Sequence, residues 1–211
     1  MTRRRSTPHG VASLLATIVV LIAGATFLWV KTDGARALTS EGARRLAVSQ
    51  QPRKLPSPLL EASDRRLFTL EALRGRMVVV DFIYTNCPTL CVSLGSAFSR
   101  LQASLVEARR HDVHLLSIGF DNARDTPDAL ADYGKHHLAG SANWTLARIV
   151  SARDLPSLLA AFGVVVLSDG YGGFTHNAAL HVVDRQGRLV RILDADDIQG
   201  VLDFIGKEQS P

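Results

Sequence analysis

Cysteine and methionine are scarce in this chain of 211 residues: two of each, Cys87, Cys91, Met1 and Met77. Two cysteines cannot build a disulfide-rich scaffold, and two distant methionines cannot build a methionine-rich metal cradle. Acidic residues are absent before residue 32, where Arg3, Arg4, Arg5 and Lys31 supply four of the 24 basic residues. The remaining 180 residues carry 20 basic against 20 acidic, and from Arg76 onward the balance is 12 against 15. The net charge of +4 therefore belongs to the N-terminal end, and the body has no cation excess with which to neutralise phosphates. Nucleic acid is excluded as a partner on that ground. A hydrophobic content of 46% with only 8 prolines excludes a collagen-like or disordered chain, and there is no internal repeat.

What is present first is an uncharged run over residues 11–30, VASLLATIVVLIAGATFLWV. A helix rising ~1.5 Å per residue needs about this many residues to cross a ~30 Å hydrocarbon layer. Arg3 to Arg5 precede it, Lys31 follows it, and Trp29 stands at its far end as an interfacial aromatic. The positive-inside rule keeps the arginines cytoplasmic and exports the rest to the periplasm or its equivalent. The expected organisation is a cytoplasmic N-terminus over 1–10, a transmembrane anchor over 11–30, a tether with an approach strand over 31–58, and one domain over 59–211. Ala35-Arg36-Ala37 has the small-x-small form of a cleavage site, so a removed signal peptide is the alternative. Both place the body outside the cytoplasm. With no cysteine near the N-terminus, a lipoprotein is excluded.

The body predicts an α/β fold. Residues 77–84 (MVVVDFIY) have the β-branched, apolar character of a buried strand, and 92–110 carry a helical stripe at Leu94, Ala97, Phe98, Leu101, Leu105 and Ala108. A strand follows over 113–119. Thr126-Pro127 reads as an N-cap and first helical residue of a helix reaching about His137. Then come a short helix over 154–162, a strand over 164–167, a Gly-rich loop over 168–175, a hairpin of 177–183 with 189–193, and a last helix over 196–205. Helices on both faces of a mixed sheet result, with a ligand expected at the first strand-to-helix junction.

Cys87-Pro88-Thr89-Leu90-Cys91 occupies that junction. Cysteines four apart on a helical turn share a face and can form a disulfide or present two thiolates to one soft metal ion. A helix N-terminus lowers a thiol pKa, which favours both reactions. A structural staple, a redox dithiol and a metal site are the three readings. Of the metals, zinc would need two histidines, whereas a Cys2His set suits Cu(I). Among seven histidines, His9 lies before the anchor, His111 and His114 flank a strand, and His136 and His137 close a helix, where a cation is ordinary stabilisation. His176 follows the Gly-rich loop and opens a strand, and His181 falls on the opposite sheet face by period-two alternation.

The string Asp81-Phe-Ile-Tyr-Thr-Asn-Cys87-Pro-Thr-Leu-Cys91, then Arg124-Asp125-Thr126-Pro127, then Gly-Phe-Thr-His176 followed by Asp184-Arg-Gln-Gly187, resembles the Sco/SenC family of membrane-anchored copper proteins. The resemblance covers about residues 60–207 and the anchor. It implies a thioredoxin-like fold in which Cys87, Cys91 and His176 coordinate one copper ion, Cu(I) with Cu(II) as a second state. It further implies a metallochaperone, a carrier rather than an enzyme, that delivers copper to the Cu-A centre of cytochrome c oxidase or to another cuproprotein. A thiol reductant protein would then be a second partner, the membrane being engaged through the anchor. The alternative is a thiol-disulfide reductase in which Cys87 and Cys91 are the redox pair and His176 is dispensable. A peroxidase is disfavoured, since it needs neither the cysteine pair nor the histidine. The chain departs from the family pattern at Thr89, Val92, Asn122 and Thr175, none of which removes a ligand. Asp121 reads either as a loop residue or as an outer-sphere acid beside the metal, and Thr126 as an N-cap.

Overall fold

The structure, a computed structural model, describes residues 9–31, 39–86, 90–137 and 143–208, with the backbone alone for 9–11, 31 and 90–94. The chain forms two units, Met1–Ala47 and Val48–Pro211. The first contains α1 (His9–Lys31), whose stretch Ala12–Val30 is long and apolar enough to cross a membrane and is wholly unburied.

In the second unit, strands β1 (Arg53–Lys54), β2 (Leu60–Ala62), β3 (Leu67–Phe68), β4 (Met77–Ile83), β5 (Val113–Gly119), β6 (Trp144–Ile149), β9 (Ala179–Val183) and β10 (Arg188–Asp194) form one sheet. Their order is β1-β10-β9-β4-β5-β6-β2-β3, with β4, β5 and β6 parallel and the rest antiparallel. Separate from it, β7 (Val166–Ser168) and β8 (Phe174–His176) make a two-stranded ribbon. The helices are α2 (Ser40–Gln50), α3 (Leu90–Glu107), α4 (Pro127–His136), α5 (Leu155–Phe162) and α6 (Ile198–Lys207).

Central position explains β4: all seven of its residues are buried, as a strand covered on both faces must be, and a run of valines suits that setting. Alternation then sorts them. Met77 and Val79 join Phe98, Leu101, Leu105, Val201 and Ile205 under α3 and α6. Val78, Val80 and Phe82 join Leu130, Tyr133, Leu158 and Phe162 under α4 and α5. Two cores on opposite sides of one sheet result. The Thr126 hydroxyl accepts from the Ala129 N–H at 3.2 Å, with Pro127 in the first turn, as the Thr-Pro pair predicts. The turn at Gly187, where φ is 79°, closes the β9–β10 hairpin, and Asp184 Oδ1 accepts from the N–H groups of Gln186 and Arg188.

Several expectations differ from what is found. Residues 168–175 are not wholly loop, and 177–183 are not one strand, because His176 ends β8 and β9 begins at Ala179. Asn177 fastens the break: its Oδ1 accepts from Val165 N at 2.7 Å and its Nδ2 donates to the Gly163 carbonyl at 3.0 Å. His176 and His181 therefore belong to different strands, and the opposite-face placement fails. Both lie against aromatic residues of the same core, Phe120 and Tyr84 for one, Phe82 and Phe162 for the other. Within 31–58 the structure holds α2 and the edge strand β1, and β6 was not foreseen at all.

Candidate metal centre

Because β4 and β5 are parallel and Ile83 is in register with Gly119, the segments that leave them emerge at the same edge of the sheet. The turn Thr85–Asn86 leaves β4 and the loop from Phe120 to Asp125 leaves β5. Such an edge is where open α/β sheets bind ligands. Cys87 lies outside the described residues, and of Cys91 only the backbone is described, in the first turn of α3.

The third expected ligand is brought to the same edge by contacts that no sequence period encodes. The Tyr84 hydroxyl donates to the Phe174 carbonyl at 3.0 Å, and the Phe174 ring packs on Tyr84 at 5.5 Å and on Phe120 at 5.6 Å between centroids. Two residues on, His176 is 7% exposed, its ring edge-on to Phe120 at 5.1 Å and Tyr84 at 6.5 Å. Among the described residues neither ring nitrogen has a hydrogen-bond partner. Burial pushes its pKa below the ordinary imidazole range, which keeps the ring neutral with a lone pair to give. A buried imidazole with both nitrogens unmet costs free energy unless something else takes the lone pair. A soft cation does so, and two thiolates would complete a donor set of that character. Among the described residues no three histidine, cysteine or carboxylate groups stand together to hold a metal; His176 offers an unmet lone pair, and Cys87 and the Cys91 side chain lie outside the described residues.

Four of the other histidines are held by neighbouring groups. His181 Nδ1 donates to the Val80 carbonyl at 3.2 Å, His114 Nε2 pairs with Thr145 Oγ1 at 3.0 Å, and His136 Nδ1 donates to the Asp132 carbonyl at 2.7 Å. His137 stacks on Tyr133 at 4.4 Å and lies against Gly95 of α3, where a Cβ would come within 2.5 Å of the ring. Together with Thr85, Asn86, Arg124 and Tyr133, His136 and His137 line an open cleft of about 730 Å³. Asn86 is the residue before Cys87, so this cleft opens beside the cysteine turn. Spacing within α4 gave no hint of that.

Two carboxyl groups complete the edge. Asp125 is fully buried and accepts from Thr85 N at 2.7 Å, Thr85 Oγ1 at 2.8 Å and Asp121 N at 2.8 Å. Its burial pushes the pKa up while those donors pull it back. Asp121 is also buried and pairs with Arg124, whose guanidinium lies 5.7 Å over the Phe174 ring. A third acid, Asp81, sits inside β4 on the face of Val79 under α3, wholly buried, with neither carboxyl oxygen in a well-formed hydrogen bond. Burial pushes its pKa up to about 7, offset in part by the hydroxyl of its register partner Ser117, which receives the Trp144 Nε1–H at 3.0 Å. A charged-type residue inside a run of valines was visible in the sequence; Asp125 and Phe174 stand in the strings that carry the family resemblance, but neither period nor spacing marked them as parts of the site.

A mixed sheet with helices on both faces and a ligand-bearing edge after its first parallel strand is a thioredoxin-like α/β domain. A family model described as SCO1/SenC matches residues 58–202. A protein of Stutzerimonas stutzeri with a provisional description as copper-binding is 32% identical over 162 residues, which cover 72% of this chain and 77% of that one. Among solved structures, BsSco, described as having a disulfide switch and as a member of the Sco family of cytochrome c oxidase assembly proteins, superposes with a TM-score of 0.66 at 20% identity, covering 74% of this chain and 94% of that one. Yeast Sco1 solved with copper bound superposes with a TM-score of 0.62 at 19% identity, covering 76% and 92%. The chain belongs to the SCO1/SenC family.

Proposed function

We propose that this chain is a membrane-anchored, extracytoplasmic copper chaperone that holds one copper ion through Cys87, Cys91 and His176 and delivers it to the Cu-A centre of cytochrome c oxidase during assembly. The observation that carries the reading is His176: a buried, neutral imidazole with both nitrogens unpartnered among the described residues, at the sheet edge from which the cysteine segment departs. Copper is cargo here. The thiolates suit Cu(I), and Cys91 in the first turn of α3 has the helix N-terminus to favour its thiolate. Transfer proceeds by ligand exchange, a partner sulfur displacing one donor at a time so that the ion is never free. Oxidation of the two thiolates to a disulfide, their two electrons passing to a disulfide-bearing oxidant that is reduced to a dithiol, removes two of three donors and empties the site. The same coupling is consistent with the disulfide switch of BsSco. Membrane attachment through α1, with the domain outside the cytoplasm, follows from the apolar stretch Ala12–Val30 and the arginines before it.

A second reading, a thiol-disulfide reductase of an oxidase subunit or another exported dithiol, is favoured by Asp81. A buried carboxyl titrating near 7 on the strand that leads to the cysteine turn can take up the proton that a thiol loses. The experiment that separates them mixes the copper-loaded, reduced chain with a purified Cu-A domain, in its reduced apo and its disulfide forms. Chaperoning predicts copper in the re-isolated domain that was offered reduced and apo, its Cu-A absorption growing once a one-electron oxidant such as ferricyanide is added, and both are lost in His176→Ala. Reduction predicts thiols appearing on the disulfide form, unaffected by His176→Ala; that result without copper transfer would replace the first reading by the second.

A further inference from the structure

Arg124 and Asp125 are neighbours in sequence and reach to opposite halves of the proposed site. The Asp125 carboxylate grips Thr85 through both its N–H and its hydroxyl, two residues before Cys87. Its seat is built for it: a Cβ at Gly119, the last residue of β5, would come within 2.8 Å of the Asp125 side chain, so only glycine leaves the room. Arg124 reaches the other way, its guanidinium over Phe174, two residues before His176, and in van der Waals range of a Cβ at Gly172 in the same ribbon. Asp121 joins the two. Its carboxylate holds Arg124, while its own N–H is held by Asp125 at 2.8 Å.

We propose that Arg124 and Asp125 are positioning residues of the metal site, a bracket in which Asp125 fixes the cysteine turn and Arg124 sets how firmly the β7–β8 ribbon presents His176. The inference rests on the copper reading above and deepens it. The two arms differ in kind. Asp125 is fully buried and makes three hydrogen bonds, the kind of contact that charge assistance strengthens. The Arg124 side chain is 37% exposed and, among the described residues, meets the ribbon through a cation–π contact with Phe174 and the charge of Asp169, both of which an exposed site weakens. Thr85, from which the cysteine segment departs, is therefore the firmly held side and the ribbon the yielding one. It follows that the imidazole is the first donor to leave, and that Arg124 governs the rate at which copper is released. Pre-set spacing of this kind lowers the ordering cost of binding, and a loosened arm raises the off-rate before it alters the rest of the site.

The test uses the full chain in detergent, reduced and loaded anaerobically with Cu(I). Two quantities are read: copper's sulfur and nitrogen neighbours by X-ray absorption, and the rate of copper loss to a chromophoric Cu(I) chelator. The parent is expected to show two sulfurs and one nitrogen. Arg124→Met is expected to weaken the nitrogen signal, keep both sulfurs and release copper about tenfold faster, with Arg124→Lys restoring most of the parent rate. His176→Ala supplies the control that a merely structural role would fail: adding Arg124→Met to it is expected to change the release rate no further. Parent-like release from Arg124→Met, or an effect that adds in full to that of His176→Ala, overturns the bracket. A parent with two sulfurs and no nitrogen, indifferent to His176→Ala, overturns the copper-ligand reading itself and the bracket with it.

Discussion

At the scale of single residues, the chemistry was readable where a residue type was rare and unreadable where it depended on a partner. Two cysteines in 211 residues drew attention at once, and His176 stood out by following a glycine-rich stretch. Period-two counting from His176 to His181 failed because Asn177 breaks the chain between two strands, an event that side-chain hydrogen bonds decide and hydropathy does not. Asp81 carries a prediction of its own. Its folded pKa of about 7 lies above the ordinary carboxyl value of 3.8, so between those values the folded protein holds a proton that the unfolded chain has lost. Stability from this group is complete at low pH and falls as pH rises toward 7. Asp81→Asn is therefore expected to be more stabilising at pH 8 than at pH 5 by on the order of 2 kcal/mol, in urea unfolding of the oxidised protein. A gap that is equal at both pH values would show that Asp81 does not titrate in this range. Gly119→Ala is expected to be among the most damaging of small substitutions, since its methyl group would meet the Asp125 side chain, costing roughly 1–3 kcal/mol in thermal or urea unfolding and weakening copper retention together.

At the scale of elements, legibility followed the buried face. The strands β4 and β5, the helices α3 and α4 and the β9–β10 hairpin were all anticipated, because each has a strong period or a cap and turn that sequence records. The strand β6 escaped because Thr145 and Arg148 interrupt its apolar pattern. Arg148 is accommodated by Glu61 on β2 at 2.9 Å, a pairing between residues 87 apart that no local window contains. The strand at β7 was anticipated over 164–167, but its partner β8 escaped for a related reason: the ribbon is held at its base by Tyr84 rather than by a core of its own, and Val165, Leu167 and Tyr171 remain exposed. The cap of α4 is a direct check on the elements that were legible. Thr126→Ala removes the acceptor of the Ala129 N–H and is expected to cost about 1 kcal/mol in chemical unfolding, while leaving copper retention at the parent level. Loss of copper in that variant would mean that the loop before α4 is positioned by the helix rather than by Asp125.

At the scale of the whole molecule, charge and hydropathy separate the chain into parts that composition alone would blur. The basic isoelectric point, about 9.4, reflects residues flanking the apolar stretch and says nothing of nucleic acid. The anchor reading predicts that the intact chain resists extraction from membranes by alkaline carbonate, and that alkaline phosphatase fused after residue 208 is active, since that enzyme works only outside the cytoplasm. Release of the chain by carbonate, or a dead fusion, would contradict it. The two thioredoxin-like cores were foreseen as helices on both faces of a mixed sheet, whereas the meeting of the β4 turn, the β5 loop and the ribbon at one edge could be seen only once the register of Ile83 with Gly119 was known. The site is thus a product of topology acting on residues that the sequence had already marked.

The central claim is that one copper ion needs all three side chains. It is tested most directly by anaerobic Cu(I) titration of the reduced chain in competition with a chelator, alongside Cys87→Ser, Cys91→Ser and His176→Ala. The account predicts one tightly held copper per chain, strongly weakened in each variant and absent once the thiols are oxidised. Undiminished copper in His176→Ala, or none retained by the reduced parent, would contradict it.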